Sequence, residues 1–331
     1  MKKRILSCLM ALALCLTLLP TAALAAEPEG TAQTPPAVEE STDPANGEAK
    51  QENQPAAPEQ EGQSVEAKQE SQPAEQEEQQ EDSAAKQAVA NLQAMIDDPG
   101  VKAVVSYQGG YGSVRLLPLL DLTPLREQPK WIVGFSDVTM LHMALGRLGV
   151  ESLHATMPGK FRFGADEKPE AIVSDESLRS ALFGRWTRID AAAHPLNVSG
   201  TARGRLAGGN LSLLCSAIGT PEQPDFDTPT VLFIEEIGEQ MYRLDRMMQQ
   251  LERSGILAKC KAVLVGHFTD MLGQKHFGVW DPCDIIAAYV RPLGIPVVFG
   301  IPAGHEDPNV ALYMGREVAV TVNDAGASVE F

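Results

Sequence analysis

Three residues with the chemistry of acyl transfer each follow an apolar, strand-like segment of the sequence. Ser136 stands in G-F-S-D, Glu235 ends T-V-L-F-I-E, and His305 stands in the G-H-E-D that comes after P-V-V-F-G. A serine hydroxyl becomes a nucleophile when a histidine takes its proton, and a carboxylate can orient that histidine. The pattern therefore predicts a serine–histidine–glutamate hydrolase site.

Ser136 lies where a predicted strand runs directly into a predicted helix. A sharp turn there exposes the hydroxyl and points helix amides at its target, as in a nucleophile elbow. Val138 replaces the second glycine of that motif. An ordinary helix N-cap serine needs only the same strand-to-helix turn, so that interpretation stays open. Glu235 likewise has a simpler explanation, as the point where its strand meets solvent.

A glycine-rich turn, G-G-Y-G at residues 109–112, follows another short strand. Glycines let backbone N–H groups approach an anion or a developing oxyanion closely. The lysine–serine pair of a P-loop and the spacing of a dinucleotide fingerprint do not occur here, which argues against a nucleotide-phosphate site. A plain tight turn is the remaining alternative.

The other candidate metal ligands and nucleophiles are scattered along the chain. No H-x-x-x-H or C-x-x-C pair occurs in the sequence, so a metal hydrolase is not expected. His142 falls within a predicted helix and fits a core position. Cys215, Cys260 and Cys283 are widely spaced and odd in number, which argues against a disulfide framework, and Cys215 is predicted to be a buried thiol. We expect no metal and no cofactor.

Strands and helices alternate in the first half of the folded region. The pattern predicts a helix over 88–96, strands at 101–106 and 130–134, and helical segments at 114–120 and 138–148. Such alternation is typical of an α/β protein with a parallel sheet.

The second half has a different pattern, with short alternating segments over residues 187–207. Further predicted elements are an amphipathic helix at 242–257 and strands at 230–235, 262–268, 297–299 and 318–322. We therefore predict an α/β domain at 86–185 that carries the serine. A mixed β/α domain at 186–331 would carry the glutamate and the histidine.

Charge is spread unevenly along the 331 residues. The formal net charge is −17, and residues 27–86 alone hold 16 acidic residues against three lysines. This stretch is rich in Glu, Gln, Pro and Ala and has no aromatic residue, so residues 26–85 are predicted to form a disordered acidic linker. The composition offers no clustered basic surface for nucleic-acid phosphates.

The first 25 residues have the form of a secretory signal peptide. K-K-R precedes an apolar run of about 15 residues, and a small-residue A-L-A ends at Ala25. The run is shorter than the roughly 20 residues that a bilayer span needs. The protein is therefore expected to be secreted or associated with the cell wall, with an uncleaved anchor as the alternative.

Five sequence blocks occur in a fixed order. They are Q-G-G-Y-G-S-V-R-L-L-P-L-L-D (108–121), P-K-W-I-V-G-F-S-D-V-T-M-L-H (129–142), G-G-N-L-S-L-L-C-S-A-I-G-T (208–220), F-I-E-E-I-G-E-Q-M-Y-R-L-D-R-M (233–247) and G-I-P-A-G-H-E-D (300–307). Over about residues 87–331 the chain resembles the LD-carboxypeptidase family of serine peptidases, which includes muramoyltetrapeptide carboxypeptidases and microcin C immunity peptidases. The resemblance implies a flavodoxin- or amidotransferase-like parallel-sheet domain followed by a mixed β/α domain.

The resemblance also implies a role for each candidate residue. Ser136 would be the nucleophile, Glu235 would orient the imidazole, and His305 would be the general base. An oxyanion hole is expected from the backbone amides of Gly110 and Asp137. The implied reaction releases the terminal D-alanine from the tetrapeptide stem of peptidoglycan through an acyl-enzyme. Family members often pair, so a homodimer is a further expectation.

Two features depart from the family pattern. Members of the family begin with two strands before the glycine loop. Here the polar linker stands in their place, so the first sheet is expected to be truncated, with an exposed edge. Gln108 replaces an arginine, which would remove a bidentate carboxylate contact. Two alternatives therefore remain: a non-catalytic wall-binding module, and an immunity-type peptidase that acts on a peptidyl nucleotide and stacks Trp186 or Trp280 on the base.

Overall fold

A long helix precedes the first strand of the molecule. In the computed structural model, which describes residues 72–161, 168–273 and 281–331, helix α1 spans Gln72–Asp97. The predicted helix at 88–96 is confirmed, but residues 72–85, which the composition predicts to be disordered, are helical as well. Glu, Gln and Ala are strong helix formers, so they continue the helix without a hydrophobic face. The predicted signal peptide and residues 26–71 of the predicted linker lie outside the described residues.

Short strands alternate with helices in the first half, as the sequence pattern predicts. After α1 come β1 (Ala103–Val105), α2 (Ser113–Leu116), α3 (Pro124–Glu127), β2 (Trp131–Gly134), α4 (Thr139–Arg147), β3 (Ser152–His154) and α5 (Pro169–Leu182). A 3₁₀ turn at Ser136–Val138 joins β2 to α4. Helix α5 was not predicted.

The second half consists of longer strands with helices between them. Its elements are β4 (Arg188–Ala192), β5 (Gly200–Asn210), α6 (Leu211–Ser216), β6 (Thr230–Ile237), α7 (Met241–Arg253), α8 (Ile256–Lys259), β7 (Cys260–Thr269), α9 (Pro282–Val290), β8 (Val297–Phe299), β9 (Leu312–Met314), β10 (Glu317–Asn323) and β11 (Gly326–Glu330). The predicted helix at 242–257 is interrupted because Gly255 adopts a left-handed conformation between α7 and α8.

The strands form two sheets. This confirms the predicted fold class, an α/β protein with a parallel-strand sheet and a second, mixed sheet. The first has the order β1-β2-β3-β9, with β1, β2 and β3 parallel and β9 antiparallel to β3. The second has the order β4-β11-β10-β5-β6-β7-β8, and the strands from β5 to β8 are parallel. Within the described residues no strand precedes β1, which is an outer strand of its sheet.

The first sheet contains strands from both halves of the folded region. Strand β9, from the predicted second domain, pairs with β3 of the first. The described residues from Glu81 onward accordingly form one compact unit. No helix in the described parts of the chain is both long and apolar enough to cross a membrane.

Candidate active site

Ser136 occupies a backbone conformation that side chains rarely adopt. Its φ is 60°, in the left-handed region. It lies two residues after Gly134, the last residue of β2, and begins the 3₁₀ turn that leads to α4. Gly134 makes that turn feasible, because a Cβ atom there would lie 2.8 Å from Cγ2 of Val138. No side-chain capping bond is made at the start of this turn or of α4. The geometry is therefore that of a strained elbow and not of a helix N-cap serine.

The glycine loop lies directly against Ser136. A Cβ atom on Gly109 would be 3.0 Å from Cβ and 3.2 Å from Oγ of Ser136, so only glycine allows this approach. Gly110 has a φ of 149° and is exposed, with no heavy atom within 4 Å of a Cβ placed on it. Backbone N–H groups of this loop can therefore come close to an atom bonded to the hydroxyl of Ser136.

Asp137 ties the nucleophile turn to the glycine loop. Its carboxylate is buried, and Oδ2 accepts a hydrogen bond of 2.8 Å from the backbone N–H of Ser113, the first residue of α2. The side chain of Asp137 is thus directed away from the solvent, while its backbone belongs to the same turn as Ser136. The two backbone amides expected to bind an oxyanion, those of Gly110 and Asp137, belong to segments that this hydrogen bond joins.

Glu235 and His305 form a close pair at the carboxyl end of β6. Nδ1 of His305 lies 2.7 Å from Oε2 of Glu235; the glutamate is fully buried and the histidine side chain is 9% exposed. Because a carboxylate only accepts hydrogen bonds, Nδ1 carries a proton, and in the neutral imidazole the lone pair is then on Nε2. This is the tautomer that a general base requires.

The structure brings the nucleophile turn and the acid–base pair together. The ring of Phe135, the residue before Ser136, packs edge-on against the imidazole of His305 with the ring centroids 4.9 Å apart. Among the described residues, Ser136 Oγ makes no hydrogen bond to His305. Catalytic hydrogen bonds are often long in the absence of substrate and tighten in the complex. The five residues predicted for the site therefore lie in four segments that contact one another: the glycine loop, the turn at Ser136, strand β6 and the loop that carries His305.

Comparison with known proteins gives the family. A model of the LD-carboxypeptidase N-terminal domain matches residues 41–155, and one of the LD-carboxypeptidase C-terminal domain matches residues 203–320. A Bacillus subtilis protein named "Probable murein peptide carboxypeptidase" is 32% identical over 245 residues, which cover 74% of this chain and 76% of that protein. This chain belongs to the LD-carboxypeptidase family.

Two further similarities describe the range of this LD-carboxypeptidase family. The crystal structure of a muramoyltetrapeptide carboxypeptidase from Oxalobacter formigenes superimposes with a TM-score of 0.67 at 30% identity, covering 74% of this chain and 82% of that one. The microcin C7 self-immunity protein of Escherichia coli is 23% identical over 265 residues, 71% of this chain and 75% of that protein. The family resemblance seen in the five sequence blocks is thereby confirmed.

Glu236, the residue after Glu235, holds a neighbouring segment of the chain in place. Its carboxylate accepts hydrogen bonds from Nδ2 of Asn210 at 2.7 Å and from the backbone of Ser212 at 2.8 Å. The N–H of Asn210 donates to Oγ1 of Thr139, at the start of α4. Burial raises the pKa of Glu236 above its ordinary value. Glu235 therefore contacts His305, whereas Glu236 binds the segment of Asn210 and Ser212. The E-E motif alone does not reveal this difference.

The remaining candidate residues have structural surroundings. His142 is buried, with its Nε2 2.9 Å from the carbonyl of Gly134, so the predicted core position is confirmed. Cys215 is a buried free thiol as predicted, and burial raises its pKa to about 12. Trp186 packs against the core, and Trp280 lies outside the described residues. No group of three or more metal-ligating side chains occurs within the parts of the chain that the structure describes.

Proposed function

We propose that this LD-carboxypeptidase releases the terminal D-alanine from tetrapeptide stems of peptidoglycan by serine catalysis. The observation that carries the proposal is the 2.7 Å contact between Glu235 and His305, beside the strained turn of Ser136. The names of its relatives, a murein peptide and a muramoyltetrapeptide carboxypeptidase, support the substrate class.

The geometry supports a two-step mechanism. Nε2 of His305 takes the proton of Ser136 as Oγ attacks the carbonyl carbon before the D-alanine, and Glu235 stabilises the resulting imidazolium. The amides of Gly110 and Asp137 stabilise the oxyanion. The imidazolium then gives its proton to the departing amine of D-alanine. Water, activated by the same imidazole, hydrolyses the acyl-enzyme and restores Ser136.

The test is the release of D-alanine from a purified disaccharide–tetrapeptide by the full chain, followed by mass spectrometry. We expect a tripeptide product and free D-alanine from the wild type. Ser136→Ala and His305→Ala should each lose several orders of magnitude in turnover. Glu235→Gln should lose less than either, because the amide still accepts a hydrogen bond but does not balance the imidazolium charge.

The control substrate is the same tetrapeptide ending in L-alanine, which the site should leave intact. Equal release from the wild type and Ser136→Ala would exclude serine catalysis. No release from the wild type, together with co-sedimentation of the protein with peptidoglycan, would favour the non-catalytic wall-binding module. The peptidyl-nucleotide alternative lacks a specific observation in its favour, since Trp186 contributes to the core.

We also infer that the enzyme meets its substrate outside the cytoplasmic membrane. The inference rests on the signal-peptide pattern of residues 1–25, with its basic start, short apolar run and A-L-A ending. N-terminal sequencing of the protein recovered from the wall or the medium should begin at Ala26. Full-length protein confined to the cytoplasm would contradict export.

A further inference from the structure

The loop that carries His305 is held by side chains and not by regular secondary structure. Residues 300–311, between β8 and β9, contain no helix or strand. The backbone N–H of Gly304 donates a hydrogen bond of 3.0 Å to Oδ1 of Asn309, and both residues are buried. This hydrogen bond closes a turn around His305.

Asn309 is fixed in its turn by helix α5. Its backbone N–H donates to Oγ of Ser174 at 2.8 Å, and the hydroxyl of Ser174 donates to the carbonyl of Glu170 at 3.1 Å. Further along the helix, Oγ of Ser177 accepts the N–H of Ala311 at 2.9 Å. Two buried hydroxyl groups on one helix thus hold two amides of the loop.

Gly304 cannot shift toward the strands behind it. Its φ is 136°, and a Cβ atom there would lie 2.9 Å from Cβ of His267 and 3.3 Å from Cβ of Glu235. The backbone before His305 is therefore enclosed, with β6 and β7 on one side and Asn309 on the other. Moving Gly304 would move the imidazole relative to Oε2 of Glu235.

We propose that Asn309 is a positioning residue for His305 and that Ser174 holds Asn309 in place. We call the two hydrogen bonds from Gly304 to Asn309 and from Asn309 to Ser174 the anchor of the loop. Its effect on turnover rests on the function proposed above. Asn309 and Ser174 are both neutral, so their truncation changes the geometry around the imidazole and removes no charged group. Oγ of Ser174 also lies 3.4 Å from Oδ1 of Asp307, so Asn309→Ala, which leaves that contact in place, is the primary variant.

The titratable groups around His305 come from three strands and from its own loop. They are His154 on β3, Glu235 on β6, His267 on β7, and Glu306 and Asp307. None of them is removed by truncating Asn309 or Ser174. An altered turnover in those variants would therefore report a displaced imidazole and not a changed number of charges.

The kinetic test compares Asn309→Ala and Ser174→Ala with Ser177→Ala as the matched control. A misplacement of about 1 Å can cost roughly a hundredfold in rate, so kcat of Asn309→Ala should fall by up to that factor. Its KM should change less than about threefold, because the side chain binds no substrate. Ser174→Ala should show a smaller fall. Ser177→Ala removes an equivalent buried hydrogen bond from the same helix but leaves the link to Gly304 intact, so its kcat should stay near that of the wild type.

A second readout does not depend on activity. Hydrogen exchange of the Gly304 amide, followed by NMR in the full chain, should accelerate in Asn309→Ala and stay unchanged in Ser177→Ala. If the wild type releases no D-alanine, the proposed function fails and this exchange alone decides the anchor. If Asn309→Ala does not fold, Ser174→Ala decides by the same two measurements.

The proposal is overturned by any of three results. The first is wild-type kcat in the folded Asn309→Ala and Ser174→Ala variants. The second is an equal loss of kcat in Ser177→Ala. The third is unchanged exchange of the Gly304 amide in Asn309→Ala.

Discussion

Ser136 has a backbone conformation that lowers the stability of the folded protein. A non-glycine residue with a positive φ costs roughly 1–2 kcal/mol, because its Cβ atom crowds the carbonyl oxygen. The surrounding structure fixes this conformation, with Gly109 against the side chain and Val138 filling the space next to Gly134. In this conformation the hydroxyl lies beside Gly109 of the glycine loop, and the preceding residue, Phe135, packs against His305.

The strain at Ser136 can be measured with two inactive variants. Ser136→Gly should be more stable toward urea than Ser136→Ala by roughly 1 kcal/mol, because glycine relieves the Cβ contact but gains entropy in the unfolded chain. Ser180, inside helix α5, is the control. There the glycine variant should be the less stable of the two, by about 1 kcal/mol. A Ser136→Gly variant that is less stable than Ser136→Ala by the same amount as at Ser180 would mean that the turn stores no strain.

At the scale of secondary structure, elements with a strong hydrophobic pattern could be predicted and others could not. The strands around Ser136 and Glu235 are short and apolar, and both were predicted. Helix α5 was missed because its buried face carries small and polar residues, among them Ala171, Ser174 and Ser177. Two of these residues, Ser174 and Ser177, accept hydrogen bonds from amides of the loop that carries His305.

Lys130 shows a contact that no local pattern contains. The sequence places it at the start of a strand, yet its ammonium group is buried and donates hydrogen bonds to the carbonyls of Met95, Ile96 and Asp98 at the end of α1. Cations at a helix C-terminus are stabilised by the unpaired carbonyls and by the helix dipole. The partners are more than 30 residues away in sequence, so only the fold reveals the arrangement.

Glu235 and His305 were predicted as site residues chiefly through the family resemblance. The residue pattern alone left Ser136 open between a nucleophile and a helix cap, and left Glu235 open between a site and a strand end. The fold adds distance in space, because it places Glu235 2.7 Å from His305, a residue 70 positions away in the sequence. Asn309 was not predicted, because an asparagine that binds a backbone amide has no sequence signature.

At the scale of the whole molecule, the site depends on both halves of the folded region. Ser136 follows β2 of the first sheet, and Glu235 lies near the carboxyl end of β6 of the second. Strand β9 joins the first sheet immediately after the His305 loop. Partial unfolding of either half would therefore separate Ser136 from His305.

Two buried imidazoles near this junction make the stability of the whole molecule depend on pH. Burial lowers the pKa of His142 from 6.5 to about 4. Burial also holds the pKa of His154 well below its ordinary value, and His142 and His305 lower it further. Both residues are neutral in the folded protein near neutral pH. As the pH falls below about 6.5, the unfolded chain takes up protons that the folded chain does not, so stability is lost progressively toward pH 4.

His142→Gln isolates one of these two contributions. Glutamine can still donate a hydrogen bond to the carbonyl of Gly134 but does not titrate, so the variant should lose less stability than the wild type on acidification. From its pKa shift, His142 should account for a difference of roughly 2–3 kcal/mol between about pH 8 and pH 4.5. Urea unfolding of both proteins across this range measures it. The subtraction removes the effects of the carboxylates, which the two proteins share, and it includes the small change at His154, whose pKa His142 lowers. Parallel pH dependences would show that His142 titrates in the folded protein as it does in the unfolded chain, and the burial argument would then be wrong.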